Sequence, residues 1–242
     1  FWDNYNYTGR EEAIEDCWKA QLAYWIQKDV VDTIAVMNAA SPSVSISPVK
    51  RLVGISFTSE FKADTAGRRE ATATADAPRY VTSETEGILA IPWTGRKSND
   101  EIDVVHFAVS VVVNNKTVGP FMKELCSRKT HTFKGWSGKE ATQNLFHNQI
   151  TILKSSIEPI VHTTSTGDDR YRYGDDAVVQ LNLACEYFFS KAGYGQIKPR
   201  LISDKPAGAD AGGGFAPQRS TVRPPKTKGG SGTKKKADEG EE

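Results

Sequence analysis

Apolar positions in this chain recur with two different periods, and the two periods alternate twice. From about residue 10 to residue 38, Ile14, Trp18, Leu22, Trp25, Val30, Ile34 and Met37 return every three to five residues, the spacing of one helical face. Asp103–Val113 switches to strict alternation, with Val105, Phe107, Val109, Val111 and Val113 on one side and His106, Ala108 and Ser110 on the other. The second side reads as semi-exposed. A helical stripe returns with Val118, Phe121, Met122 and Leu125, and alternation returns with Val179, Leu181, Leu183, Cys185, Tyr187 and Phe189 against Gln180, Asn182 and Glu186.

Together with apolar runs at Val49–Phe57 and near Gln149–Ile157, these periods predict helix–strand–strand twice over. The expected fold class is α+β, with two helices on one face of a four-stranded sheet. Three regions are expected: a long amphipathic, coiled-coil-like helix within residues 1–40, an α+β domain over 41–200 with an insertion at about 60–100, and a tail over 201–242.

Local signals refine the elements. Thr8 and Glu11 have capping-box spacing, and Glu11, Glu12 and Glu15 suit the positive end of a helix dipole. Asn38, Ser41 and Pro42 predict its end. A helix of 29 residues is about 43 Å long at 1.5 Å per residue, more than a compact domain of this size needs. Thr117 is the expected cap of a second helix over Val118–Arg128, with Pro120 tolerated in its first turn. Glu60–Pro78 and Thr163–Asp176 read as polar loops, and Tyr80–Trp93 as an extra strand or hairpin arm. Of the 42 residues from Leu201 onward, 12 are Gly or Pro. Such a tail cannot offset its ordering entropy and is expected to be disordered.

Composition narrows the chemistry. The chain has 242 residues with 31 basic and 30 acidic side chains, a formal net charge of +1, so bulk charge names no partner. Cys17, Cys126 and Cys185 are too few and too scattered for a disulfide framework or a zinc site, and read as small apolar residues on periodic faces. The histidines His106, His131, His147 and His162 lack metal-ligand spacing. Asp168–Asp169 and Asp175–Asp176 flank Arg170–Tyr173 without EF-hand spacing, and read as a charge-paired, solvated hairpin. No nucleophile elbow, Walker A or dinucleotide fingerprint is present. Neither an enzyme nor a cofactor is expected.

Trp18, Tyr24, Trp25 and Ile26 are the candidate interface residues. At 100° per residue, Tyr24, Trp25 and Ile26 span about 200° of the helix. One sheet covers only part of that arc, so the expectation is a second surface: a partner helix, or the Tyr80–Trp93 arm folded back. The strand faces lack the aromatic platform of RNA-recognition domains, so nucleic acid is not an expected partner. The chain begins at Phe1 without Met or any run of 18 apolar residues. It therefore reads as a fragment, with any anchor lying upstream.

The element order resembles the periplasmic part of the PilO and GspM proteins of type IV pilus and type II secretion machines. WKAQLAYWIQKDVVDTIAVMN (Trp18–Asn38) and PVKRLVGISF (Pro48–Phe57) occupy the place of that family's coiled coil and first strand. VGPFMKELCSRKTHTFKGW (Val118–Trp136), ITILKSSIEPI (Ile150–Ile160) and VVQLNLACEYF (Val178–Phe188) are similar to its last helix and strand pair. The resemblance implies a circularly permuted ferredoxin-like domain. It implies a non-enzymatic scaffold, anchored in the inner membrane with its domain in the periplasm. The implied partners are a second copy, a sister assembly protein and other platform components. The alternative reading is a ferredoxin-like module that binds a ligand or nucleic acid.

Overall fold

The computed structural model describes residues 6–61, 76–82, 87, 89–133, 141–145, 148–160, 173–195 and 197–203. The Asp168–Asp169 pair, Arg170–Tyr171, His147, His162 and residues 204–242 lie outside the described residues, and with them the expectation of a disordered tail.

Helix α1 (Arg10–Asn38) is followed by strands β1 (Val49–Ser56) and β2 (Ile102–Asn114). Helix α2 (Val118–Leu125) leads into a small hairpin, β3 (His131–Phe133) and β4 (Gln143–Leu145), and then into β5 (Asn148–Pro159) and β6 (Val178–Ser190). Two short helices, α3 (Lys191–Tyr194) and α4 (Arg200–Ser203), complete the described chain. The fold is α+β, with a four-stranded sheet in the order β1-β2-β6-β5 and every neighbouring pair antiparallel.

The central pair β2–β6 runs without a register shift from Ile102↔Ser190 to Asn114↔Val178. Irregularity is confined to the outer strands: β1 shifts register twice against β2, and β5 shifts once, between Ile152 and Lys154. Bulges of this kind add local twist at sheet edges.

On one face, Val105, Phe107, Val109, Val111 and Val113 of β2 and Leu181, Leu183, Cys185, Tyr187 and Phe189 of β6 form the main core with Trp18, Leu22, Trp25, Ile26 and Val30 of α1 and Phe121 and Leu125 of α2. Fully burying side chains of this size contributes about 1.5–3 kcal/mol each. Aromatic rings lock α1 to the sheet. Trp18 meets Trp25 edge-on at 5.8 Å and stacks on Tyr194 at 5.8 Å, and Trp25 lies 6.1 Å from Phe189.

The second side of β2 is buried too, which corrects the semi-exposed reading. His106, Ala108 and Ser110 are each at most 1 % exposed, and Glu186 is fully buried. The cover comes from the Tyr80–Trp93 region and the residues after it. Tyr80 bridges Val105, and the Val81 amide donates to the Val104 carbonyl at 2.8 Å, extending the β1 edge of the sheet. Val81, Leu89, Ala90 and Ser98 are buried with it.

Several local expectations change. Gly9, in extended backbone, takes the cap position of α1 and makes no side-chain cap bond, so Thr8 stands one residue too early for a capping box. Asn38 does more than stop the helix: its amide brackets Val49, donating to the carbonyl at 2.8 Å and accepting from the N–H at 2.9 Å. Helix α2 ends at Leu125 rather than Arg128, and the Thr117 hydroxyl donates to the Asn114 and Pro48 carbonyls instead of capping. Cys17 is exposed, and only Cys185 behaves as a buried apolar residue.

The described fold also runs past Leu201. Ile197 and Ile202 pack against the main core. The buried Asp103 carboxylate accepts from Tyr194 Oη and, at 2.8 Å, from Lys198 Nζ, with Lys191 Nζ at 3.5 Å. Trp18 Nε1 donates to Tyr80 Oη at 2.7 Å, and Lys198 sits 4.6 Å from the Tyr80 ring centre. This clasp joins α1, the Tyr80 bridge and the C-terminal turns.

Candidate functional site

Of the four candidate interface residues, Trp18, Trp25 and Ile26 are committed to the chain's own core, at 6 %, 8 % and 0 % exposure. Trp18 and Trp25 are covered from several sides. Tyr194 stacks on Trp18, while Phe189 and His131 flank Trp25. Tyr24 alone of the four points to solvent, at 57 % exposure.

Tyr24 belongs to a second line on α1. Cys17, Tyr24 and Val31 are all exposed and stand seven residues apart. On a straight helix that spacing drifts only about 20° per step, so the three share one outward line. Ala35 is exposed beside it, and the i,i+4 ion pair Lys28–Asp32 borders it. The inward line of Trp18, Leu22, Trp25, Ile26, Asp29, Val30 and Thr33 is buried on the other side. The helix is thus two-faced, with its strongly apolar line already used and a weaker one free of the described core.

Polar groups are buried on both sides of the sheet. On the helix side, Asp29 accepts from Tyr187 Oη at 2.7 Å and lies 3.1 Å from His131 Nε2, which ties the β3–β4 hairpin to α1 and β6. On the opposite side, the cross-strand partners His106 and Glu186 meet at 3.4 Å. Thr94 Oγ1 donates to Glu186 at 2.9 Å, and Arg96 Nε lies 2.8 Å away in an ion pair. Burial alone pushes the Glu186 carboxyl up, but the bonds from His106 and Thr94 and the charge of Arg96 outweigh it and hold the group below the usual carboxylate range.

Four residues farther along, beyond the Ala108↔Ala184 pair, Ser110 and Asn182 form a second polar rung at 2.6 Å, and Asn182 passes the chain on to Glu158 of β5 at 3.1 Å. A face meant for water would carry Lys or Arg, yet the even positions of β2 hold Val104, His106, Ala108, Ser110 and Val112. That composition was the available signal for a covered polar face.

The acidic loop is anchored at long range. Asp176 pairs with Lys50 of β1 at 2.9 Å, Lys50 also donates to the Ser45 carbonyl at 2.7 Å, and the Lys50 hydrogen bond draws the Asp176 carboxyl down. Gly174 has φ +78°, and a Cβ there would meet the Ser45 carbonyl oxygen at 2.5 Å, so only glycine fits this approach.

Burial pushes the Cys185 thiol well up, with nearby Cys126 adding to it. Cys126 is likewise raised by burial, opposed by the Ile152 amide. Neither thiol is activated as a nucleophile. Among the described residues, no group of three or more His, Cys, Asp or Glu side chains is placed to hold a metal ion, and no helix is long and apolar enough to cross a membrane. No family model, curated protein or solved structure matches the chain.

Proposed function

We propose that this chain is a non-catalytic assembly module that pairs the outward line of α1 with the same helix of a second copy or of a sister protein. The outward line itself carries the reading. A 29-residue helix that has already buried one apolar line keeps Cys17, Tyr24 and Val31 in solvent on another, and residues seven apart stay on the one side of a helix that a partner helix can cover.

Two further features support it. The strand order β1-β2-β6-β5 with both long helices on one face is the order that two helix–strand–strand units take in a circularly permuted ferredoxin-like domain. The cover over His106 and Glu186 uses the sheet face on which an RNA-recognition domain would stack bases, which favours a protein partner. On this reading the module serves a pilus or secretion platform of the PilO and GspM kind, held at the inner membrane with its domain in the periplasm.

Sedimentation velocity at micromolar concentration, alone and with co-encoded neighbours, tests the reading. Wild type is expected to form a dimer or a hetero-pair that Tyr24→Glu and Val31→Glu abolish without changing the melting temperature. A wild type that stays monomeric and binds no neighbour rejects it.

A further inference from the structure

The second polar rung ends at a pocket. Ser110 Oγ donates to Asn182 Oδ1 at 2.6 Å, and Gln180 Nε2 donates to the same oxygen at 3.1 Å. The Asn182 amide is thereby turned so that Nδ2 donates to Glu158 Oε1 at 3.1 Å, where Ser156 Oγ donates at 3.2 Å. Ser110 is fully buried and Asn182 is 6 % exposed. Burying such a row costs free energy that an apolar face would not, and its result is one oriented carboxylate. Oε1 of Glu158 accepts two hydrogen bonds, while Oε2 has no hydrogen-bond partner among the described residues.

Glu158 borders a pocket of about 280 Å³, lined with it by Glu60, Phe61, Lys154, Asn182 and Ala184. The floor exists because Ala108 and Ala184 are register partners between the two polar rungs, so the sheet surface drops there. Lys154 Nζ and Glu60 Oε2 meet at 2.7 Å, which neutralises that pair at one side of the pocket. Glu158 is left without an ion pair among the described residues, and an oriented carboxylate set in a pocket is a group that recognises organic cations through charge-assisted hydrogen bonds.

We propose that this pocket binds a small organic cation through a primary ammonium or guanidinium group, with Glu158 as its counter-ion and Ser110, Asn182 and Ser156 as positioning residues. The site is independent of the helix-pairing function.

Isothermal titration of the full chain with putrescine, L-arginine and guanidinium chloride, and with succinate as the anionic control, tests it. At least one cation should bind saturably below about 10 mM, a range that includes weak millimolar sites, and succinate should not. Glu158→Gln should weaken binding about tenfold or more. Ala184→Leu, which fills the floor, should abolish it. Because Ala184 lies in the sheet, Lys154→Ala on the exposed rim serves as the second variant and should tighten cation binding by removing a like charge. Failure of all three cations to bind, equal binding by Glu158→Gln, or equal binding of succinate would overturn the assignment.

Discussion

The Tyr187 hydroxyl donates to the Asp29 carboxylate at 2.7 Å, joining the last long strand to the middle of α1 inside the core. Asp29 is 2 % exposed and also meets His131 at 3.1 Å. Tyr187→Phe keeps the ring and removes one donor from a buried charge, so it should cost about 1–3 kcal/mol. Urea unfolding followed by circular dichroism measures this. An unchanged midpoint would mean that the bond contributes nothing in solution.

Trp25 and Tyr24 are chain neighbours with opposite surroundings. Trp25→Ala should cost about 3–5 kcal/mol, because it empties a site packed against Phe189 and His131. Tyr24→Ala should stay within about 0.5 kcal/mol of wild type. Thermal melts of the two variants side by side decide the matter, and similar losses would contradict the helix orientation.

Leu183→Asp should abolish cooperative unfolding, since Leu183 is 2 % exposed in the core and an unpaired charge there has no partner. Its register partner on β5, Ser155, is exposed. Ser155→Asp should therefore leave the melting temperature within a few degrees, on the order of the shift expected for a surface substitution. A folded Leu183→Asp protein would mean that β6 faces the other way.

Glu186 predicts an acid limb. Its folded pKa lies below the ordinary value near about 4.3, so the unfolded chain binds the proton more readily. The stability it contributes is full above that unfolded value and is lost as pH falls through the folded one. Glu186→Gln should flatten this part of a stability-versus-pH curve. A variant with the wild-type slope between neutral and acid pH would show that Arg96, Thr94 and His106 do not hold the charged form.

Ending the chain after Gly195 removes Lys198, Ile197 and Ile202, leaving Asp103 with less compensation for its buried charge. A loss of roughly 2–4 kcal/mol is expected. Ending it after Ser203 should leave the melting temperature unchanged, given the Gly- and Pro-rich composition beyond. Differential scanning calorimetry of the two truncations checks both statements, and equal melting temperatures would remove the clasp from the account of stability.

The alternation of β6 made the helix-side core legible, because Leu181, Leu183, Tyr187 and Phe189 could face only one way. The opposite side is less legible for a physical reason. His106, Ser110, Asn182 and Glu186 are polar, and polar residues alternating with apolar ones are the usual mark of a strand side that faces water. They instead pair across strands, beneath Thr94 and Arg96, which come from a stretch with no period to announce it. The clasp of Asp103, Tyr194 and Lys198 was equally hidden, since a one-turn helix leaves no periodic trace. Of the arc spanned by Tyr24, Trp25 and Ile26, only Trp25 and Ile26 turn into the core, and Tyr24 stays exposed. The flanks of Trp18 and Trp25 are closed by Tyr194 and the β3–β4 hairpin, elements too short to predict.

The unbroken β2–β6 pairing, from Asn114↔Val178 outward to Ile102↔Ser190, also bears on how the protein is made. Contacts this distant in the chain slow folding. The sheet has no centre until a ribosome has released Ser190, so β1, β2 and both long helices must wait with their apolar faces unpaired. The same topology makes the intervening stretches forgiving. Loop closure grows only logarithmically with length, so loop positions outside the buried cover, α2 and the β3–β4 hairpin can be lengthened at small cost, while a single insertion within β2 or β6 would throw every rung beyond it onto the wrong face.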